Sequence, residues 1–187
     1  MIFVYRLLIN IVVILSPLII LIRLLKKKED LRRFKEKFTI FSKKRKIGKL
    51  IWFHAASVGE LLSIISLVKK LEENKKISQI LITTTTLTSS KLFNNFKFKK
   101  TIHQFFPIDN NYFTKRFIKY WNPHLAIFVE SEIWPNMIKN LKKKSIKKNI
   151  IKFKNIKKII QKVDAGQKFC QRFISKFRLY FSTKYRV

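Results

Sequence analysis

Trp52-Phe53-His54-Ala55-Ala56-Ser57-Val58-Gly59-Glu60 is the stretch on which the fold is decided. The run Leu50–His54 is short, nearly all apolar and unbroken by polar alternation. It gives way to small residues and then to one carboxylate, where a new periodicity begins. From Glu60 onward, Leu61, Ile64, Ile65, Val68 and Leu71 recur at the spacing of one helix face. The stretch therefore reads as a buried strand, a tight loop and a helix. The same layout returns at Phe128-Val129-Glu130-Ser131-Glu132-Ile133-Trp134-Pro135-Asn136, where Pro135 suits a helix's first turn.

Two further units lie between these. Ile77–Thr84 reads as a strand and Ser89–Phe96 as a short helix. Thr101–Phe106 reads as a strand ended by Pro107, and Asn110–Trp121 as a helix carrying Phe113, Phe117, Tyr120 and Trp121 at helical spacing. Leu125–Val129 is the fourth strand, Trp134–Lys144 the helix after it, and Ile146–Phe153 a candidate fifth strand. Strand and helix in alternation predict an α/β fold: a Rossmann-like parallel sheet with helices on both faces. Strands buried on both faces should be continuously apolar, as these are. Ligands of such sheets bind beyond the carboxyl ends of the strands. Here that rim would carry Ser57 to Glu60, Thr83 to Thr86, Pro107 to Asp109 and Glu130 to Glu132.

Residues 1–25 are almost wholly apolar, interrupted by Arg6, Asn10, Ser16 and Pro17. Their length is close to the ~20 residues a membrane span needs. Arg23, Lys26, Lys27 and Lys28 follow, which by the positive-inside rule keeps the remainder cytoplasmic. No small-residue cleavage site follows the apolar run, so the expectation is an uncleaved membrane anchor. Residues 26–48 form a basic connector suited to anionic head groups, 49–145 the Rossmann-like domain, and 146–187 a Lys/Ile-rich basic tail, divergent or truncated.

Forty-two Lys and Arg against 10 Asp and Glu give a net charge of +32, which favours anionic partners. With 18 Phe, only 3 Gly and abundant Lys, Ile and Asn, the usage is also that of AT-rich coding, so charge alone names no partner. Cys170 is the single cysteine, which excludes an internal disulfide and a thiolate metal cluster. Phosphate-binding glycine loops and zinc spacings are missing from the sequence.

Acids are scarce, so three of them in two strand-end turns draw attention. Glu60 can serve as a general base if partial burial raises its affinity for a proton, or it can be a first-turn acid stabilised by the helix dipole. The small residues before it permit close ligand approach. Glu130 continues an apolar strand and would need a buried partner; with Glu132 it flanks Ser131, a pair able to stabilise developing charge. Thr83 to Thr86 could meet phosphate or sugar hydroxyls, or cap a helix. Asp109 reads as a helix cap and His54 as a core histidine, while His103 and His124 have no obvious partner.

The chain resembles the amino-terminal half of bacterial 3-deoxy-D-manno-octulosonic acid (Kdo) transferases. The resemblance rests on His54-Ala55-Ala56-Ser57-Val58-Gly59-Glu60, Thr83 to Thr88, Pro107-Ile108-Asp109, Trp121-Asn122-Pro123, and Glu130-Ser131-Glu132-Ile133-Trp134-Pro135-Asn136. It implies the acceptor-binding domain of a GT-B glycosyltransferase that moves Kdo from CMP-Kdo to a lipid A precursor with inversion, in lipopolysaccharide synthesis. It further implies Glu60 as catalytic base and Glu130 as transition-state stabiliser. Ser57, Gly59, Thr84, Thr86 and Glu132 would contact the acceptor, with no cofactor and no metal in the chemistry. The threonine turn departs from the family pattern at Leu87 and Ser89, where Pro and Gly are usual. An Asn-Ala-Arg-type segment expected after Trp134-Pro135-Asn136 is not found, and the donor-binding half is expected to lie outside the 187 residues. The rival reading is a non-catalytic basic membrane protein that binds anionic lipid or RNA by charge. Carboxylates on the binding rim would repel phosphate, which favours the enzyme and leaves no nucleic-acid partner expected.

Overall fold

The computed structural model describes residues 2–129 and 134–151. The predicted alternation is present: β1 (Leu50–His54), α2 (Val58–Glu73), β2 (Gln79–Thr84), α3 (Leu87–Phe93), β3 (Thr101–Phe105), α4 (Asn111–Trp121), β4 (Leu125–Val129), α5 (Pro135–Lys143) and β5 (Lys147–Ile151). Ahead of them run the helix α1 (Ile2–Leu25) and a short 3-10 turn, Phe34–Phe38. The five strands form one sheet in the order β3-β2-β1-β4-β5, every neighbour parallel. The α/β, Rossmann-like expectation holds, and the fifth strand lies inside the span Ile146–Phe153 that the sequence marked for it.

Two cores sandwich the sheet. On one face Ile51, Phe53 and Ala55 of β1 and its loop, with Leu125, Ile127 and Val129 of β4, meet Leu61, Ile64 and Val68 of α2 and Phe93 of α3. On the other, Leu50, Trp52, Ala126 and Phe128 meet Phe117, Ile118 and Trp121 of α4 and Met137 and Leu141 of α5. Successive strand residues point to opposite faces. Both faces are covered, so the whole of β1 is buried and its first four residues are apolar.

The connector is not a free charged strip. Glu29, buried, takes Arg23 Nε and Lys37 Nζ, each at 2.6 Å. Glu36, also buried, receives both arms of Arg33 at 2.8 and 3.0 Å, the hydroxyl of Ser42, and the backbone N–H of Phe105 in β3 at 2.8 Å. A buried carboxylate satisfied this fully is an anchor. It ties the connector to the edge strand and covers part of it.

Helix α1 is likewise not free on all sides. Tyr5, Arg6, Ile9, Val13, Ser16, Ile20, Arg23 and Leu24 are buried or half-buried, a stripe at three- and four-residue spacing along the whole helix. Three polar residues of its first turns are pinned to the domain. Tyr5 Oη donates to Asp109 Oδ2 at 2.8 Å, Arg6 Nε to Asn136 Oδ1 at 2.9 Å, and Asn110 Nδ2 to Asn10 Oδ1 at 2.7 Å.

Candidate functional site

The strand order fixes where a ligand can sit. From β1 the chain leaves towards β2 and β3; from β4 it leaves towards β5 on the opposite side. The crevice of such a sheet opens where the order reverses, between the carboxyl ends of β1 and β4. The loop Ala55–Ser57 and the start of α2 lie on one side of that point, and the end of β4 at Val129 on the other.

Glu60 stands here, at the third position of α2. Ser57 is the N-cap, and its Oγ accepts from Glu60 N at 3.3 Å. The Glu60 carboxylate turns back, accepting from Ala56 N at 2.8 Å through Oε2 and from Ser57 Oγ at 3.0 Å through Oε1. This is a capping box whose acid reaches one residue further back than the usual partner. The helix-entry role weighed for Glu60 is therefore present. It does not exhaust the group: a carboxylate offers about four lone-pair sites, and Glu60 is only half-buried, with Ser57 exposed beside it.

Four of the other described acids are committed to the fold. Glu29 and Glu36 are buried under the connector. Glu72 holds the start of β3, accepting from Lys99 N, Lys100 N, Thr101 N and Thr101 Oγ1. Burial raises its pKa, but those hydrogen bonds outweigh it, and the net shift is downward. Asp109 is buried on the rim; burial raises its pKa, while hydrogen bonds from Tyr5, Asn136 and Met137 pull the other way. Among the described residues Glu60 is thus the one rim carboxylate that reaches the surface.

Gly59 is informative because nothing in the fold requires it. A Cβ built there would meet no atom within 4 Å, and its φ is ordinary for any residue. Gly59 is exposed on the first turn of α2, next to Glu60 in sequence.

The threonine turn divides in two. Thr83 is buried, its Oγ1 accepting from Trp52 Nε1 at 2.9 Å and lying 3.0 Å from His54 Nδ1. Thr84, expected to face an acceptor, is fully buried, with Oγ1 2.9 Å from His103 Nε2. The strand ends at Thr84, where the sequence places its end, and burial on both faces takes that hydroxyl out of solvent. Thr85 Oγ1 donates to Ala56 O at 2.9 Å, tying this turn to the β1 loop. Thr86, exposed, caps α3 through Ser89 N at 3.2 Å. Glu130, Ser131 and Glu132 lie outside the described residues.

His54 is a core histidine as expected, stacked on Phe106 with ring centroids 3.9 Å apart. Burial pushes its pKa down to about 3. His103 has partners the sequence did not disclose, Thr84 and Arg33 Nη2, the latter at 2.9 Å from Nδ1. Burial and then the charges of Arg33 and Lys43 bring it down to about 3 as well. Neither ring carries charge near neutrality. Among the described residues no group of three His, Cys, Asp or Glu is placed to hold a metal ion.

Asp109 is the residue whose role reached furthest beyond its reading. It does cap a helix, but not the one that follows it, which Asn110 caps. Its Oδ1 and Oδ2 accept from Met137 N at 2.8 Å and Asn136 N at 2.9 Å, the open end of α5. Asn136 returns a bond from Nδ2 to Asp109 O at 2.6 Å. The motifs Pro107-Ile108-Asp109 and Trp134-Pro135-Asn136 are therefore one structural unit, which their separation in sequence conceals.

A doubly wound α/β domain with a carboxylate-bearing loop at its switch point defines the class: open parallel α/β folds whose ligands bind at the carboxyl edge of the sheet. Within that class, the profile of the 3-deoxy-D-manno-octulosonic-acid transferase (kdotransferase) family matches residues 32–185, and the chain belongs to this family. It is 45% identical over 120 residues to the 3-deoxy-D-manno-octulosonic acid transferase of Rickettsia bellii, covering 64% of this chain and 29% of that protein. It is 39% identical over 139 residues to "Probable 3-deoxy-D-manno-octulosonic acid transferase, mitochondrial" of Arabidopsis thaliana, covering 73% of this chain and 31% of that protein. Against the enzyme of Haemophilus influenzae identity is 36% over 91 residues, 49% of this chain and 21% of the other. The chain spans less than a third of the length of these relatives.

Proposed function

We propose that this chain forms the acceptor-binding half of a GT-B glycosyltransferase that moves Kdo from CMP-Kdo to a lipid A precursor in lipopolysaccharide synthesis. The observation that carries the proposal is Glu60: a half-exposed carboxylate at the switch point, beside an exposed hydroxyl and a glycine the fold does not need. The acceptor hydroxyl would take the place of Ser57 Oγ on Glu60 Oε1, or join it there. Glu60 takes the proton as the hydroxyl oxygen forms its bond to the anomeric carbon of Kdo. The bond from that carbon to the CMP phosphate breaks with inversion, and CMP leaves with the electron pair. Glu130 is assigned to stabilising charge in the transition state, and Ser57, Gly59, Thr86 and Glu132 to the acceptor. Thr84 supports the turn from beneath. The donor's nucleotide is held by a second domain, in keeping with the greater length of the relatives. The apolar helix and the basic residues after it hold the enzyme on the cytoplasmic face of the inner membrane, where the acceptor's acyl chains lie.

The test is Glu60→Gln in the complete two-domain enzyme. The amide oxygen can still accept from Ala56 N, so the capping contact persists while the base is lost. Turnover is expected to fall roughly 10²–10⁴-fold, with acceptor binding and unfolding midpoint unchanged. Near-normal Kdo transfer would remove Glu60 from the chemistry.

A further inference from the structure

We propose that α1 enters the membrane side-on, as an in-plane helix held flat against the domain, and does not cross the bilayer. The exposed side of the helix is apolar along its whole length. Phe3, Leu7, Ile14, Leu18, Leu21 and Leu25 are each more than half exposed and repeat at three-, four- and seven-residue intervals. This stripe lies opposite the docked one. At 100° per residue the exposed six cluster some 150° around the axis from Tyr5, Ile9, Ser16 and Ile20.

The polar residues of α1 are what separate the two modes. In a spanning helix Tyr5, Arg6 and Asn10 would be unexplained interruptions, and an arginine near the hydrocarbon is costly. Here each is a docking pin, on Asp109, Asn136 with Asn111, and Asn110 respectively. At the other end Arg23 is tied to Glu29, which Lys37 shares. The 18 helical steps from Tyr5 to Arg23 cover about 27 Å at 1.5 Å per residue, close to the ~30 Å hydrocarbon thickness. A crossing helix would carry Tyr5 to the far interface. Asp109, Asn110 and Asn136 would then have to follow it into lipid or give up all three pins. Asp109 is buried, so losing Tyr5 would expose an acid arranged to receive it.

Charge identifies the occupant of the apolar face. Lys26, Lys27, Lys28, Arg32 and Lys35, all exposed, follow immediately on the helix, and each basic residue near an anionic leaflet contributes roughly 1 kcal/mol. An apolar stripe continued by a cluster of lysines is the pattern of an interfacial helix on anionic lipid. The geometry also has a use. The pins sit on the turn after β3 and on the first turn of α5, both at the carboxyl edge of the sheet. Ile108 N, in the same turn, donates to Lys37 O of the connector at 3.0 Å. An in-plane α1 therefore brings the rim that carries Glu60 down to the lipid surface, where an acceptor could present its sugar without leaving the leaflet. This deepens the membrane part of the proposed function and does not depend on the transfer chemistry.

Spin labels placed through Leu7→Cys, Ile14→Cys and Leu21→Cys, singly and in a Cys170→Ser background of the full chain, decide the matter. They are read by collision with oxygen and with a water-soluble nickel chelate, in vesicles of phosphatidylethanolamine and phosphatidylglycerol at 3:1. An in-plane helix puts the three labels at one depth within about 5 Å. A span puts Ile14 near the bilayer centre, about 10 Å deeper than either end at 1.5 Å per residue, and that result overturns the proposal while leaving membrane attachment intact. Water-exposed labels and no vesicle binding would mean that the face serves another protein, and would overturn both. A second measurement avoids the labels on the apolar face. Asn10→Cys and Asn110→Cys, in the same background, are joined by a short bis-maleimide in detergent before transfer to the vesicles. The cross-linked chain is expected to bind as the uncross-linked pair does. Loss of binding would show that α1 must leave the domain to reach lipid, and would also overturn the proposal.

Discussion

Replacing Asp109 with alanine removes the acceptor for three hydrogen bonds at once: Met137 N at 2.8 Å, Asn136 N at 2.9 Å and Tyr5 Oη at 2.8 Å. The two amides are buried, and an orphaned buried donor costs about 1–3 kcal/mol. Losing a carboxylate at the start of α5 adds about 0.3–1 kcal/mol of helix-dipole stabilisation. Relief of the burial that raises the Asp109 pKa offsets part of the loss, as does the bond from Asn136 Nδ2 to Asp109 O, which the variant keeps. The expected destabilisation is about 3–5 kcal/mol, a large share of the roughly 5–15 kcal/mol a domain possesses. Asp109→Asn should cost less, about 1–3 kcal/mol, because one oxygen still accepts from Met137 N while the amide can donate to Tyr5 Oη; only Asn136 N is then orphaned. Urea unfolding in mild detergent, followed by tryptophan emission, gives the two values. Hydrogen exchange at Asn136 and Met137 gives the local one, with both amides accelerated in Asp109→Ala and chiefly Asn136 in Asp109→Asn. A loss under about 1 kcal/mol for Asp109→Ala, with exchange at α5 unchanged, would refute the assignment of Asp109 as the clasp between α1, the β3 turn and α5.

The two described glycines should respond in opposite ways. At Gly48, φ is +103° and an added Cβ would fall 2.1 Å from Ser78 Oγ and 2.9 Å from Ser78 Cβ, so Gly48→Ala should lower stability by about 1–3 kcal/mol in thermal unfolding. Gly59→Ala meets no obstruction and trades a helical glycine for alanine, so stability should rise by up to about 1 kcal/mol; in the complete enzyme its transfer rate should nevertheless fall if ligand passes over that turn, and an unchanged rate counts against the site. His54 and His103, both held down to about 3, make stability pH-dependent. Between pH 6.5 and 3 the unfolded chain binds protons that the folded one refuses. Stability is therefore full above about 6.5 and drops on acidification by about 1.4 kcal/mol per pH unit for each ring. The raised Asp109 acts with the opposite sign, within the carboxylate range. Urea midpoints that stay level from pH 7 to 5 would contradict the buried neutral rings.

The sheet was legible because burial on both faces leaves an uninterrupted apolar signature. Leu50–His54 and Leu125–Val129 were placed to the residue, and the helices to within one to three residues. What escaped was set by long-range pairing. Thr84 reads as one hydroxyl among four until β3 supplies His103 beside it. Asp109 reads as a local cap until α5 arrives from residue 135. The connector reads as a strip of charge until Glu36 meets Phe105 N. In each case a polar residue near a strand end is claimed by an element distant in sequence, and no periodicity encodes that partner.

Helix α1 shows where this matters for function. Composition supports immersion in lipid, and the apolar residues outside the docked stripe are indeed exposed. The information that changes its meaning lies in the few residues that break the pattern. Tyr5, Arg6 and Asn10 meet Asp109, Asn136 and Asn110, so the interruptions in hydropathy are the contacts that fix the helix to the domain. Asp109 then belongs at once to the helix proposed to meet lipid and to the helix that follows β4 at the switch point. Under the proposed function the acceptor is held in a membrane by its acyl chains, and the rim then needs to be registered against that membrane. A clasp of hydrogen bonds, made at the rim itself, supplies that registration more rigidly than a span joined to the domain by a flexible connector could.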